Sequence, residues 1–464
     1  MQDFKNLSSN KKNQLGLSLS RTVNSNRKLA SATESVSRKL SLPSGKHLEQ
    51  LKHLLLFLAI VLALTPVCLL IFYKAPQTVT AASVWLRGKM STPAPPRPPP
   101  PEKKPRAGSF EAACLQFDAS AMMGDKYSKL TNSGDTLHYT IRGDLQKRVY
   151  DYLVANNVPF GVFVAIEPSS GRLLAMTAHS SVDKSWPSNA FFELYPMASL
   201  FKIITASAAL ENKRITPETV IQFRGRAYSE NPRYWEASPK GKNNSMDVTH
   251  AMGKSVNPVY GRIAGDIAGK SSVMETVRRF GFNQPLFAGS PLKTSMVQEP
   301  ATASDLKLMG AGLDHDVKIS PLHAAMMMAA IANKGLMMAP SLTDRVVDGK
   351  GEVKETTSPQ ELRRLFSQET AASLTRMLST TVTSGTSRKA FHDRRGRPRL
   401  NIDIAAKTGS INGSDPKGHY SWFAAFAPMQ EPRIALVALV INQGKWKIKA
   451  PQVGQLALEE FFWR

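Results

Sequence analysis

Cysteine is almost missing from this 464-residue chain, which contains only Cys68 and Cys114. So few thiols exclude a disulfide-stapled scaffold. Neither has a second Cys or a His at metal-ligand spacing, so no metal, redox pair or other cofactor is expected. Acidic residues are scarce as well, 36 against 60 Lys+Arg, and the formal net charge is +24. Such an excess suits nucleic acid, anionic lipid or an acidic wall polymer. Its distribution speaks against the first of these. Residues 1–135 carry 19 basic and 8 acidic side chains and the remainder carries 41 and 28, so tail, linker and domain are all basic. There is no single basic stripe interleaved with aromatics of the kind that single-strand binders show. No nucleic-acid partner is expected.

Long apolar runs are absent with one exception. Residues 54–73 are twenty consecutive residues without a charge, enough to cross about 30 Å of hydrocarbon as a helix. The stretch lacks the polar face of a core helix, and it is longer than the apolar core of a cleaved signal. It is read as one membrane span, with Pro66 kinking it. Flanking charge barely orients it, because residues 34–53 hold four basic side chains and residues 74–93 hold three. Residues 1–53 read as a basic tail, disordered at least over 1–45. Residues 74–109 form a linker whose proline-dense run at 91–106 favours extended polyproline geometry. A short connecting segment over 110–135 leads to a globular domain over 136–464.

That domain has mixed patterning. A helix is predicted over 143–154, then strands over 162–166 and 173–177 around a Pro-Ser-Ser-Gly turn. The middle reads helical, including 322–333, whose Met326, Met327 and Met328 are taken as core filler. Strands return at 403–406, 422–426 and 434–441, before an amphipathic helix over 453–462. Strands at both ends with helices between imply an α+β sandwich built on one antiparallel sheet.

Three short motifs carry the chemistry: Ser199-Leu200-Phe201-Lys202, Ser255-Val256-Asn257 and Lys407-Thr408-Gly409-Ser410. Ser-x-x-Lys alone is worth little, since it recurs at Ser181–Lys184 and Ser304–Lys307. Ser199 differs by following Pro196 and opening an apolar helix. A spacing of three puts Ser199 and Lys202 on one helical face, where the amine can take the hydroxyl proton. That amine must first be neutral, which burial and a neighbouring cation, Lys407, would promote. Ser199 as a helix cap and Lys202 as a solvated charge are the plain alternatives, but an idle ammonium between Phe201 and Ile203 is costly. Ser255 and Asn257 are expected in a loop, with Pro258 blocking helix continuation. Alone they would read as a capped turn, and Lys407 as a solvated lysine before a glycine. Lys407 to Ser410 is expected to continue an edge strand, where Gly409 admits a peptide backbone and Lys407, Thr408 and Ser410 can grip a carboxylate.

These motifs, with residues 161–176, 331–335 and 422–428, resemble the transpeptidase domain of penicillin-binding proteins, the monofunctional class B-like members in particular, over roughly 136–464. The resemblance implies an antiparallel sheet sandwiched by helices with an all-α subdomain, preceded by one transmembrane helix. It implies Ser199 as the acylated nucleophile, Lys202 as its base, Ser255 and Asn257 as the second catalytic motif, and Lys407, Thr408, Gly409 and Ser410 as the substrate-binding strand. The oxyanion would be held by the N–H groups of Ser199 and Ser410. The implied function is cross-linking of peptidoglycan stem peptides ending in D-Ala-D-Ala, with β-lactams as acylating inhibitors. The domain would sit outside a bacterial cytoplasmic membrane with the N-terminus in the cytoplasm. A separate glycan polymerase would partner it, because residues 74–135 leave no room for a glycosyltransferase domain. A D,D-carboxypeptidase or β-lactamase using the same acyl-serine, and a catalytically silent β-lactam sensor or scaffold, are the competing functions. The chain departs from the family pattern at Met197-Ala198, where Pro-Gly is usual, at Ser410 in place of threonine, and in the basic stretch Arg394–Arg399.

Overall fold

The computed structural model of the chain describes residues 108–117, 126–444 and 446–463, together with Ala59. The expected span over 54–73 lies outside the described residues apart from Ala59. Among those described, no helix is long and apolar enough to cross a membrane.

An antiparallel sheet organises the domain. In chain order its strands are β1 (Phe160–Ile166), β2 (Leu173–His179), β3 (Ala405–Ser414), β4 (Lys417–Ala427) and β5 (Ile434–Asn442), arranged β3-β4-β5-β1-β2. The predicted strands are all present, most of them extended. The third begins at Ala405 instead of residue 403 and continues through the lysine motif. Every residue of β1 and β5 is buried, so alternation appears in where side chains point. Val162 and Val164 enter one apolar cluster, while Phe163 and Ala165 enter another on the opposite face. Two helices cover the second face, α1 (Gly143–Ala155) and a C-terminal helix at Ala450–Trp463. The fold is α+β, as expected, with the sheet held between helical layers.

The apolar cluster on the first face is completed by helices from the middle of the chain. These are α2 (Phe201–Glu211), α3 (Val248–Lys254), α4 (Asn257–Arg262), α5 (Ala303–Ala311), α6 (Pro321–Ala332) and α7 (Gln368–Thr383). Local chemistry sets their ends. A Thr302–Asp305 capping box opens α5, and Gly312 closes it at φ +71°. Ser320 caps α6, with Pro321 at its first position. Met326, Met327 and Met328 are buried in the core, as their reading as filler requires. Residues 110–135, expected to connect, contribute a helix at Phe110–Gln116 and a strand at Lys126–Leu130. Phe110 and Ala113 enter the main apolar cluster, and the strand pairs with Thr136–Arg142.

One close approach couples the helical layer to the sheet edge. The end of α7 turns at Gly385, where an added Cβ would meet the Gly253 carbonyl oxygen of α3. The next residue, Thr386, donates its N–H to that same oxygen at 3.0 Å. Gly385→Ala is expected to wedge α3 away from α7 at a cost of about 1–3 kcal/mol. Thermal denaturation checks this, with a fall in Tm of several degrees expected and an unchanged Tm contradicting the contact.

Candidate active site

The apolar run before the serine folds as a single 3-10 turn, Ala198–Leu200, that leads directly into α2. Residues 201–210 are buried all round, so Lys202 is carried into the core with them. Its amine makes three contacts: Ser199 Oγ at 2.8 Å, Asn257 Oδ1 at 2.8 Å and the Ala311 carbonyl oxygen. Two of these are obligate acceptors, because Asn257 turns its Nδ2 toward the Ser229 carbonyl oxygen. A neutral amine has two N–H groups and one lone pair. With both N–H groups donated to Asn257 and Ala311, the lone pair is left for the Ser199 hydroxyl. Burial, helped by the charge of Lys407, holds the Lys202 ammonium well below the ordinary lysine range.

The second motif does not form the expected loop. Ser255 closes α3 in the left-handed conformation, φ 56°, and Asn257 begins α4 with Pro258 behind it in the first turn. Proline therefore starts a helix here, the position where its missing N–H costs nothing. The tight corner splits the motif between the two lysines. Asn257 accepts from Lys202, while Ser255 Oγ accepts from Lys407 Nζ at 2.8 Å.

Lys407 is fully buried, and its amine also donates to the Thr408 carbonyl oxygen at 2.9 Å. Desolvation works against the standing charge expected of it and pushes its pKa down to about 7. Strand β3 ends the sheet, so it presents a free edge. Gly409 lies where a Cβ would sit 3.2 Å from the Ala198 methyl, which keeps this edge against the serine turn. Trp422 on β4 fixes the other side of the turn by donating to the Pro196 carbonyl oxygen at 2.9 Å. Ala198 itself adopts φ 53°, a conformation glycine takes without strain, and Met197-Ala198 is where the chain departs from the family pattern. Ser199, Ser255, Asn257, Thr408, Gly409 and Ser410 line one cleft of about 450 Å³.

Three participants carry no motif of their own. Thr386 Oγ1 lies 2.5 Å from Thr408 Oγ1 and extends the hydroxyl surface of β3. Its signal was the glycine that ends α7 two residues past Thr383, a mark of a helix terminus but not of a site. The Ala311 carbonyl is exposed to Lys202 by the turn at Gly312, where a side chain would strike the Ala198 carbonyl. Glu230 lines the cleft from a polar loop without any pattern that marks it.

This sheet with its serine, paired lysines and edge strand defines an acyl-serine transferase of the penicillin-recognising kind. The model of the penicillin-binding protein transpeptidase domain matches residues 161–457, and the chain belongs to that family. It is 26% identical over 362 residues to peptidoglycan D,D-transpeptidase PbpA of Mycolicibacterium smegmatis, covering 69% of this chain and 70% of that one. Identity to PbpA of Mycobacterium tuberculosis is 29% over 317 residues, covering 61% of this chain and 62% of the relative. The solved imipenem acyl-enzyme complex of M. tuberculosis penicillin-binding protein A superposes with a TM-score of 0.59 at 25% identity. It covers 70% of this chain and 79% of that one.

Two buried lysines that fold with lowered pKa values bind fewer protons than the unfolded chain does between about pH 7 and the ordinary lysine range. Stability therefore rises with pH across that window and is lost as pH falls through the folded-state values. Lys407→Met should flatten the slope of unfolding free energy between pH 7.5 and 9.5, by up to about 1.4 kcal/mol per pH unit. Denaturant unfolding at several pH values measures it. Parallel slopes in the two proteins would mean that Lys407 stays charged when buried.

Proposed function

We propose that the chain is a serine-type peptidoglycan D,D-transpeptidase that is acylated at Ser199 by D-Ala-D-Ala stem peptides and, in the same way, by β-lactams. The observation that carries this reading is the Lys202 amine, fully buried 2.8 Å from Ser199 Oγ with Asn257 Oδ1 and the Ala311 carbonyl oxygen as its other two contacts. Serine is a poor nucleophile until a base removes its proton, and here the base is pre-positioned and burial disfavours its charged form. Ser199 attacks the carbonyl carbon of the penultimate D-Ala as its proton moves to Lys202. The developing oxyanion is received by the N–H groups of Ser199 and Ser410, the former in the first turn of a helix where no earlier carbonyl claims it. Ser255 accepts from Lys407, which leaves its own O–H free for the departing amine. Lys407 then restores that proton, a role suited to a group with a pKa of about 7. The D-Ala carboxylate rests against Thr408, Thr386 and Ser410, and its charge draws Lys407 toward the protonated form.

The same proposal places residues 54–73 across the cytoplasmic membrane, with residues 1–53 inside and the domain outside, where its substrate lies. Residues 74–109 space the domain from the bilayer. A separate glycan polymerase supplies the strands to be joined.

The two lysines should respond differently to arginine. Lys202→Arg keeps a cation but cannot lose its proton near neutrality, so acylation should fall by about 10²–10⁴-fold, the usual worth of a general base. Lys407→Arg keeps the cation that faces the carboxylate but cannot return a proton to Ser255, so it should lose part of the rate yet retain more than Lys202→Arg, and Ser199→Ala should retain none. Stopped-flow acylation by a chromogenic β-lactam reads all three, and near-normal rates in Lys202→Arg would assign the base elsewhere. For topology, a protease added to intact spheroplasts should remove the domain. Survival of residues 110–464 until lysis would reverse the orientation.

A further inference from the structure

The catalytic cleft continues beyond Thr386 into a second concavity of about 570 Å³, which shares Thr386, Lys449 and Pro451 with it. Lys389, Arg399, Lys447 and Lys449 line this groove, and no carboxylate does. All four are exposed. Among the described residues none of them has an ion-pair partner, and Lys449 lies over the Trp446 ring at 4.7 Å. Past Ser410 a concavity of about 360 Å³ is lined by Ile411, Asn412 and the carboxylate of Glu230, and it shares Trp446 with the basic groove. The basic groove thus meets the cleft at Thr386, beside Thr408 on the edge strand, and meets the polar concavity at Trp446.

Chain direction decides which part of the cleft an acceptor meets. A peptide pairing antiparallel to β3 runs with its C-terminus toward Lys407 and Thr408, so its leaving amine departs on the side of Thr386. The acceptor amine must reach the acyl carbon along the path the leaving amine took, which brings it in over the basic groove. We propose that this groove is an acceptor subsite, and that it selects amine acceptors carrying free carboxylates over their amidated counterparts. This rests on the transpeptidase reading. In the step it serves, the acceptor nitrogen forms a bond to the acyl carbon and the bond to Ser199 Oγ breaks. The amine proton passes through Ser255 to Lys407, which gave one up during acylation, and Lys202 returns to Ser199 Oγ the proton it took from it, which restores the hydroxyl. Four like charges in a concave wall raise the local concentration of anions without touching the reacting atoms. Because the groove is exposed, that preference weakens as salt rises.

The test uses the purified full-length chain, a thiolester acyl donor, and one amine peptide prepared both as the free acid and as the carboxamide. The readout is the ratio of transfer to hydrolysis. Wild type should favour the free acid on the order of tenfold at low salt. Lys389→Gln with Arg399→Gln should bring the preference close to unity while labelling by fluorescent penicillin stays at the wild-type rate. Lys389→Glu with Arg399→Glu should reverse it. A wild type that labels with penicillin but treats both acceptors alike overturns the subsite and leaves the transpeptidase reading standing. So does a preference that survives neutralisation. A wild type that fails to label sinks both.

Discussion

An ammonium group with no water around it is the constraint on which the domain depends. Lys202 occupies a helix that is buried on every side, so its charge cannot be solvated by rotating the side chain outward. Burial disfavours the ionised form there, and two carbonyl oxygens, from Asn257 and Ala311, accept from the amine. Removing either acceptor would leave a buried donor unpaired and free the amine to turn away from Ser199. The positions of α4 and α5 are therefore tied to one nitrogen atom. Gly312, which must be glycine both for its φ of +71° and for its closeness to Ala198, is part of the same requirement.

The edge strand depends on that arrangement in turn. Lys407 holds Ser255 at the end of α3, and α3 is pressed against Gly385, whose neighbour Thr386 returns to Thr408 on the strand. This closes a ring of contacts that runs from sheet to helix to helix and back to the sheet. Trp422 ties the serine turn to the second strand from beneath. The three motifs are thus held to one another by contacts among their own side chains and by the Ala311 and Pro196 carbonyls. The groove past Thr386 lies outside the ring on exposed side chains.

Much of this was legible in the sequence because it depends on local rules. The strands at 162–166, 173–177, 422–426 and 434–441 followed from apolar runs bounded by turns, and the terminal helix from its periodicity. Pairing of Ser199 with Lys202 follows from helical geometry alone. Burial of Lys202 was readable from its apolar neighbours, since a lysine between Phe201 and Ile203 has few ways to reach water. The corner at Ser255 was not readable, because Pro258 signals the end of one helix and the start of the next with equal force. Thr386 and the Ala311 carbonyl were beyond reach for a different reason. They act through contacts across 22 and 109 positions of chain, and nothing in their own neighbourhoods records the partner. Burial of Lys407 was likewise a tertiary fact, which is why a standing charge was expected of it.

The most direct measurement of the central claim is the protonation state of the Lys202 amine itself. Lysine labelled with 15N at Nζ, with the resonance assigned by its absence in Lys202→Arg, reports it by NMR without reference to any reaction. The account predicts the shift of a neutral amine at pH 7, and a further titration only on acidification, alongside solvent-exposed lysines that remain ammonium. An ammonium shift for Lys202 at pH 7, unchanged up to the ordinary lysine range, would contradict it.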